Sequence, residues 1–346
     1  MGPESPWGMV LHYPHEHLID ILKKGGVAWL RIGVRFDSQP GPGQPPAWAD
    51  AIRQVRAANQ GPRQEVYFGI DPNYPNWIAS GAPPPDDGDD DGRPGGGPRR
   101  IPRPRPGDNE GSEDWKKRHV HWENFVRQVI GFFGPRGVRY FNIGNEPNNP
   151  SFYRFGIEEY TTLLTIAARV IHEARLKVCA PDIATDDEWN PWNFLKTCLR
   201  KVREANQTLD VVSIHGYRRK DDSALEFMNH LRPVTGALRE YGVNAPVWLT
   251  ETGVSNFHFP RDPAKNGRRV VEICQTIGEG MLPTYRPWGP RQPKFVKKVF
   301  FFVWSDDVGE AGRERDAGKF AWLSRAPALE PLPHLWNAYK SVTGGS

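Results

Sequence analysis

Residues 138–147 read Val138-Arg139-Tyr140-Phe141-Asn142-Ile143-Gly144-Asn145-Glu146-Pro147. β-Branched and aromatic residues make the first part a buried strand, which runs into an amide and a carboxylate and stops at a proline. A glutamate at the C-terminal lip of such a strand is placed for chemistry rather than for packing. A second stretch is built the same way: Pro246-Val247-Trp248-Leu249-Thr250-Glu251-Thr252-Gly253. Glu146 and Glu251 are therefore expected to form a pair of strand-end carboxylates.

Outward from these two stretches the chain alternates. Strand patterns fall at 8–13, 27–36, 65–70, 177–180 running on to Asp182, 209–215 running on to Tyr217, and 296–304. Helical spacing of apolar residues falls at 14–24, 47–58, 115–133, 157–174, 191–206, 224–241, 268–277 and 333–342. With the two glutamate strands this makes eight strands and eight helices in strict alternation over 346 residues. The expected fold is α/β, a single closed (β/α)8 barrel spanning 1–346. A doubly wound sheet would carry a glycine-rich turn after its first strand; Tyr13-Pro14-His15 stands there instead. In a barrel Glu146 ends strand four, Glu251 ends strand seven, and both point into the mouth at the C-terminal rim. On strand two, Arg31 and Arg35 share a face with Gly33 because strand side chains alternate.

Residues 81–111 break the alternation. They hold an acidic block at Asp86 to Asp91 and a basic one at Arg93 to Arg105, among prolines and glycines, and read as a loop inserted after strand three at the active face. Asp87, Asp89, Asp91 and Gly92 match the start of a calcium loop, but Pro98 stands where that loop needs a bidentate glutamate. His15-Glu16-His17 and His119-Val120-His121 lack the H-E-x-x-H spacing, so no metal is expected.

Composition narrows the partners. Lys and Arg number 45 against 41 Asp and Glu, a near balance that argues neither for nor against an acidic partner, and no nucleic-acid partner is expected. Thirteen tryptophans supply flat apolar faces of the kind that stack on sugar rings or bases, although core packing accounts for most of such residues. Cys179, Cys198 and Cys274 are sparse and unpaired in spacing, so buried thiols are expected. Residues 1–10 show no leader pattern and no window offers eighteen uninterrupted apolar residues, which predicts a soluble chain with no membrane partner and leaves the compartment open.

Cleaving a glycosidic bond takes one carboxyl group to protonate the leaving oxygen and another to attack or stabilise the anomeric carbon. Two rim glutamates from opposite sides of a barrel meet that need. Carboxyls about 5 to 5.5 Å apart retain configuration through a covalent intermediate, whereas about 6.5 to 9.5 Å leaves room for an inverting water.

Ile143-Gly144-Asn145-Glu146-Pro147 together with Leu249-Thr250-Glu251-Thr252-Gly253 resembles the paired signature of glycoside hydrolase clan A, families five and thirty-nine in particular. That resemblance implies a retaining mechanism with Glu146 as acid/base, Glu251 as nucleophile and Asn145 on the sugar 2-hydroxyl. Arg31 within Leu30-Arg31-Ile32 is similar to the clan's arginine beside the nucleophile. His215-Gly216-Tyr217 resembles its His-x-Tyr, whose tyrosine also contacts the nucleophile, and Trp304-Ser305 its tryptophan under the sugar. The residues agree with these roles. Arg31 and Tyr217 would donate to Glu251 and favour its charged form, while Glu146, with no cation adjacent in sequence, would carry the proton. The expectation is thus a retaining glycoside hydrolase acting on a β-linked carbohydrate, needing no cofactor, with a monomer favoured. A transglycosylase using the same residues and a glycan-binding barrel without catalysis are the other classes.

Overall fold

The computed structural model describes residues 5–11, 16–36, 48–72, 113–150, 152–153, 156–217, 222–253, 263–278, 296–305, 321–323 and 333–343. Its frame is a ring of strands: β1 (Trp7–Leu11), β2 (Trp29–Arg35), β3 (Glu65–Asp71), β4 (Tyr140–Ile143), β5 (Lys177–Ala184), β6 (Val211–His215), β7 (Val247–Thr252) and β8 (Val296–Ser305). Each pairs with the next in parallel, and β1 also pairs with β8 from Trp7↔Val299 to Leu11↔Val303. The sheet is therefore closed, and the fold is the (β/α)8 barrel that the alternation predicts.

Helices α1 (Glu16–Lys24), α2 (Ala49–Asn59), α3 (Glu113–Phe133), α4 (Ile157–Glu173) and α5 (Pro191–Glu204) cover successive crossovers. The single helix expected over 224–241 is two, α6 (Ala224–Leu231) and α7 (Pro233–Glu240). Ser223 and Glu226 close a capping box at the start of α6, and Pro233, which has no N–H to continue the ladder, opens α7 instead. Then come α8 (Pro263–Gly278) and α9 (Pro333–Thr343). A short strand absent from the sequence reading, β9 (Ala321–Leu323), pairs in parallel with the end of β8. The expected insertion at 81–111 lies outside the described residues.

Two apolar layers hold the barrel. Outward side chains such as Leu30, Ile32, Phe68, Phe141, Ile214 and Leu249 pack against the helices. Inward ones form an aromatic plug of Trp29, Tyr67, Trp248 and Phe300 with Val10, Cys179 and Val211. Trp29 and Trp248 meet edge to face with centroids 5.1 Å apart, and Tyr140 lies 5.0 Å from Trp248. Two of the tryptophans thus fill the barrel, and the polar inward residues gather above them, towards the C-terminal rim.

Candidate active site

Glu146 is delivered by a turn. After Ile143 the chain passes through Gly144 at φ +91 and reaches Glu146 at φ +48, both left-handed. Main-chain bonds pin the bend: Gly144 N–H to Ile70 O at 3.0 Å, Glu146 N–H to Asp182 O at 3.0 Å, and Asn149 N–H to Glu146 O at 2.9 Å. The carboxylate is buried, and each oxygen has a partner. Asn149 Nδ2 donates to Oε2 at 3.0 Å, and His215 Nδ1 lies 3.0 Å from Oε1.

Glu251 is delivered by an irregular strand. Ile214 pairs with Leu249 but His215 pairs with Glu251, so the register slips by one residue, as at a β-bulge. Thr250 can then face inward, donating to Asp182 at 2.6 Å, while the adjacent Glu251 also reaches the mouth. Arg31 Nη1 donates to Glu251 Oε2 at 2.7 Å, and the Tyr217 hydroxyl donates to Oε1. His215 Nδ1 lies 3.4 Å from the same Oε2.

The structure therefore brings together Arg31, Asn145, Glu146, His215, Tyr217 and Glu251. Asn145 Oδ1 accepts from Arg31 Nη2 at 2.7 Å. Trp304 belongs to the end of β8, where it pairs with Ala321; its side chain is outside the described set. One expectation needs correction. Glu146 has no cation beside it in sequence, but the fold places the His215 ring against it.

The charges explain each other. Burial opposes the imidazolium of His215, but the carboxylates of Glu251, Asp182 and Glu146 outweigh it and raise the ring to about 9. Burial likewise opposes the charge on Asp182, yet Arg31 and then His215 hold its carboxyl well below the usual range. Arg31 is held above its ordinary value by Asp182 and Glu251 in spite of its own burial. Burial first and Glu251 second push the Tyr217 phenol up, so it stays a donor.

Sequence reasoning missed Asp182 as a site residue, along with Tyr67, Asn142, Ser213 and Thr250. All five are fully buried. The available signal is a lone polar residue within an otherwise apolar strand, as in Tyr140-Phe141-Asn142-Ile143 and Val211-Val212-Ser213-Ile214, which marks a polar spot on the inner wall.

Glu146, His215 and Glu251 each present a ligand-type atom within 4.8 Å of the others. That spacing would suit a metal. The Glu251 oxygens, however, already accept from Arg31 and Tyr217, a donor set that suits an ionised carboxylate facing a cationic side chain.

A glycosyl hydrolase catalytic core model matches residues 115–316, more than half of the chain and all of the polar cluster except Arg31 and Tyr67. The chain belongs to the glycosyl hydrolase catalytic core family. No curated protein matches the sequence. Among solved structures, this glycosyl hydrolase core is similar to a GH5_18 protein from Bifidobacterium longum subsp. infantis, with TM-score 0.67 and 12% identity over 98% of this chain and 78% of that one. A family 39 glycoside hydrolase from Bacteroides cellulosilyticus gives TM-score 0.64 and 15% identity over 99% of this chain and 64% of that one. A monomeric β-xylosidase from Caulobacter crescentus gives 0.62 and 16% over 98% and 68%. At these identities the likeness is one of fold. No described helix is long and apolar enough to cross a membrane.

Proposed function

We propose that this chain is a retaining hydrolase of β-glycosidic bonds in a glycan or glycoside, working by double displacement from one catalytic barrel over 1–346. The observation that carries this reading is that the two carboxylates share one His215 ring at the mouth, with one oxygen of Glu146 and one of Glu251 within 4.8 Å of each other. Retaining enzymes need carboxyls about 5 to 5.5 Å apart, and an inverting water needs a wider gap of about 6.5 to 9.5 Å. The β-xylosidase among the structural relatives supports the β linkage.

In the first step Glu251 attacks the anomeric carbon while Glu146 protonates the departing oxygen. In the second, Glu146 takes a proton from water, the water oxygen bonds to the anomeric carbon, and Glu251 leaves. Arg31 and Tyr217 orient the nucleophile and neutralise its charge, and the 3.0 Å contact with His215 steadies the Glu146 carboxylate once its proton has left with the departing oxygen. Asn145, steadied by Arg31, faces the sugar 2-hydroxyl, and Trp304 supports the ring.

NMR of the first-formed sugar tests the stereochemistry. Release of the β-anomer from a β-glycoside before mutarotation is expected; initial release of the α-anomer would show inversion and end the double-displacement reading.

A further inference from the structure

Asp182 lies behind the catalytic pair, with none of its surface exposed. Its Oδ1 accepts from the Tyr67 hydroxyl at 2.7 Å and from Thr250 at 2.6 Å. Its Oδ2 accepts from Arg31 Nη2 at 2.9 Å and Asn142 Nδ2 at 2.8 Å, and His215 Nε2 lies 3.4 Å away. Its main chain is used as well: the N–H donates to Ser213 Oγ at 3.1 Å, and the carbonyl accepts from Glu146 N–H at 3.0 Å. A left-handed φ of +50 and a register shift between Pro181 and Ile183 turn the side chain into the barrel. One residue thus touches β2, β3, β4, β6 and β7, on each strand beside or at a residue of the site.

We propose that Asp182 is a positioning residue: its carboxylate anchors the Arg31 guanidinium and the His215 ring from behind, so that Arg31 meets Glu251 and His215 meets Glu146 at fixed atoms. The guanidinium is a rigid fork, so pinning Nη2 on Asp182 fixes where Nη1 meets Glu251. The Asp182 carboxylate lies 3.4 Å from Nε2, an ion-pair contact rather than a hydrogen bond, and its charge favours a proton there. Nδ1 is then left for Glu146, as a donor when the ring is charged and as an acceptor when it is neutral. The ring keeps its contact in both states, and a proton can change hands without a rotation. Four hydrogen-bond donors would be satisfied by neutral acceptors; the two cationic groups are what call for a buried negative charge.

The test is Asp182→Asn. Its amide oxygen can still accept from Arg31 and Asn142, and its NH2 can face the Tyr67 and Thr250 hydroxyls, both able to accept, so shape is kept and charge is removed. The titratable groups around Asp182 and His215 are Arg31 on β2, Tyr67 on β3, Glu146 beyond β4, Cys179 on β5, Glu251 on β7 and Tyr160 on α4. None of these changes in the variant.

In protein labelled with 15N-histidine, the wild-type His215 signals, assigned by their loss in His215→Gln, should show Nε2 protonated throughout and a midpoint near 9. In Asp182→Asn the midpoint should fall by about one pH unit or more, because an anion that stabilised the imidazolium is gone. The activity arm rests on the hydrolase reading: the alkaline limb of kcat/KM should move down by the same interval, and kcat should drop about 100-fold or more, up to the roughly 10⁴-fold that follows when a catalytic imidazole loses its orienting carboxylate. An unmoved midpoint together with an unmoved limb would overturn the proposal. So would a wild-type ring carrying its proton on Nδ1 with Nε2 bare below pH 7, a result that needs no variant to fold. A wild-type protein that hydrolyses no glycoside would instead sink the hydrolase reading, and the histidine titration would still decide the role of Asp182.

Discussion

Glu146 and Glu251 differ in what holds them. Glu251 faces Arg31, a permanent cation, and a tyrosine that stays protonated; Glu146 faces His215, whose charge depends on pH, and the neutral Asn149. Arg31 and Tyr217 leave Glu251 fixed for attack, and His215, 3.0 Å from Glu146 and 3.4 Å from Glu251, stands between the two carboxylates. Glu251→Gln should therefore remove turnover by about 10⁴-fold or more on every substrate. Glu146→Ala should discriminate: across a series of aryl glycosides, kcat/KM should fall steeply as the phenol becomes a poorer leaving group, with activated aryl glycosides hydrolysed least slowly of all. Equal losses along the series would speak against Glu146 as the acid. The residues with these roles were legible because each sits at a strand end beside Gly, Pro or another site residue. Asp182 was not. Its importance arises from five separate strands, which together give six polar side chains, and from a bulge that sequence spacing does not reveal.

At the scale of the element, the bend after β4 is the critical piece. Gly144 adopts φ +91, and a Cβ there would come within 3.0 Å of Tyr160 Cε2, whose own hydroxyl donates to Ile143 O at 2.7 Å. Gly144→Ala should cost about 1–2 kcal/mol from backbone strain alone. It should also lower kcat, because the displaced segment carries Glu146. Urea unfolding and steady-state kinetics on the same preparation check both parts; wild-type values in either would show that the bend tolerates a side chain. Strand and helix patterns were readable here wherever apolar periodicity ran for a full element. The break between α6 and α7 was marked by Pro233, but the apolar spacing continues across it, and β9 has only three residues, too few to show a period.

Among the described residues the barrel stacks an aromatic plug and, above it, a shell of buried charges along one axis. Closing the ring through β1 and β8 is what puts β4 and β7 across from each other. The charged shell ties stability to pH. His215 is raised to about 9, so the stability it contributes is fully present below its unfolded value near 6.5 and is lost as pH rises through 9. Denaturant midpoints measured from pH 6 to 10 should fall across that window, and the fall should be smaller in His215→Gln; parallel curves would place the effect elsewhere. Arg31→Met should destabilise by about 3–5 kcal/mol, since it removes the shorter of the two cationic contacts of the buried Asp182 and the guanidinium facing Glu251.

The central claim is that Glu251 becomes covalently bonded to the sugar. Incubation with a panel of 2-fluoro β-glycosides followed by intact-protein and peptide mass spectrometry tests it most directly. The account predicts one fluorosugar ester per chain, located on Glu251 and absent from Glu251→Gln. An ester on another residue, or β-glycoside hydrolysis that proceeds through no trappable ester on any sugar of the panel, would contradict it.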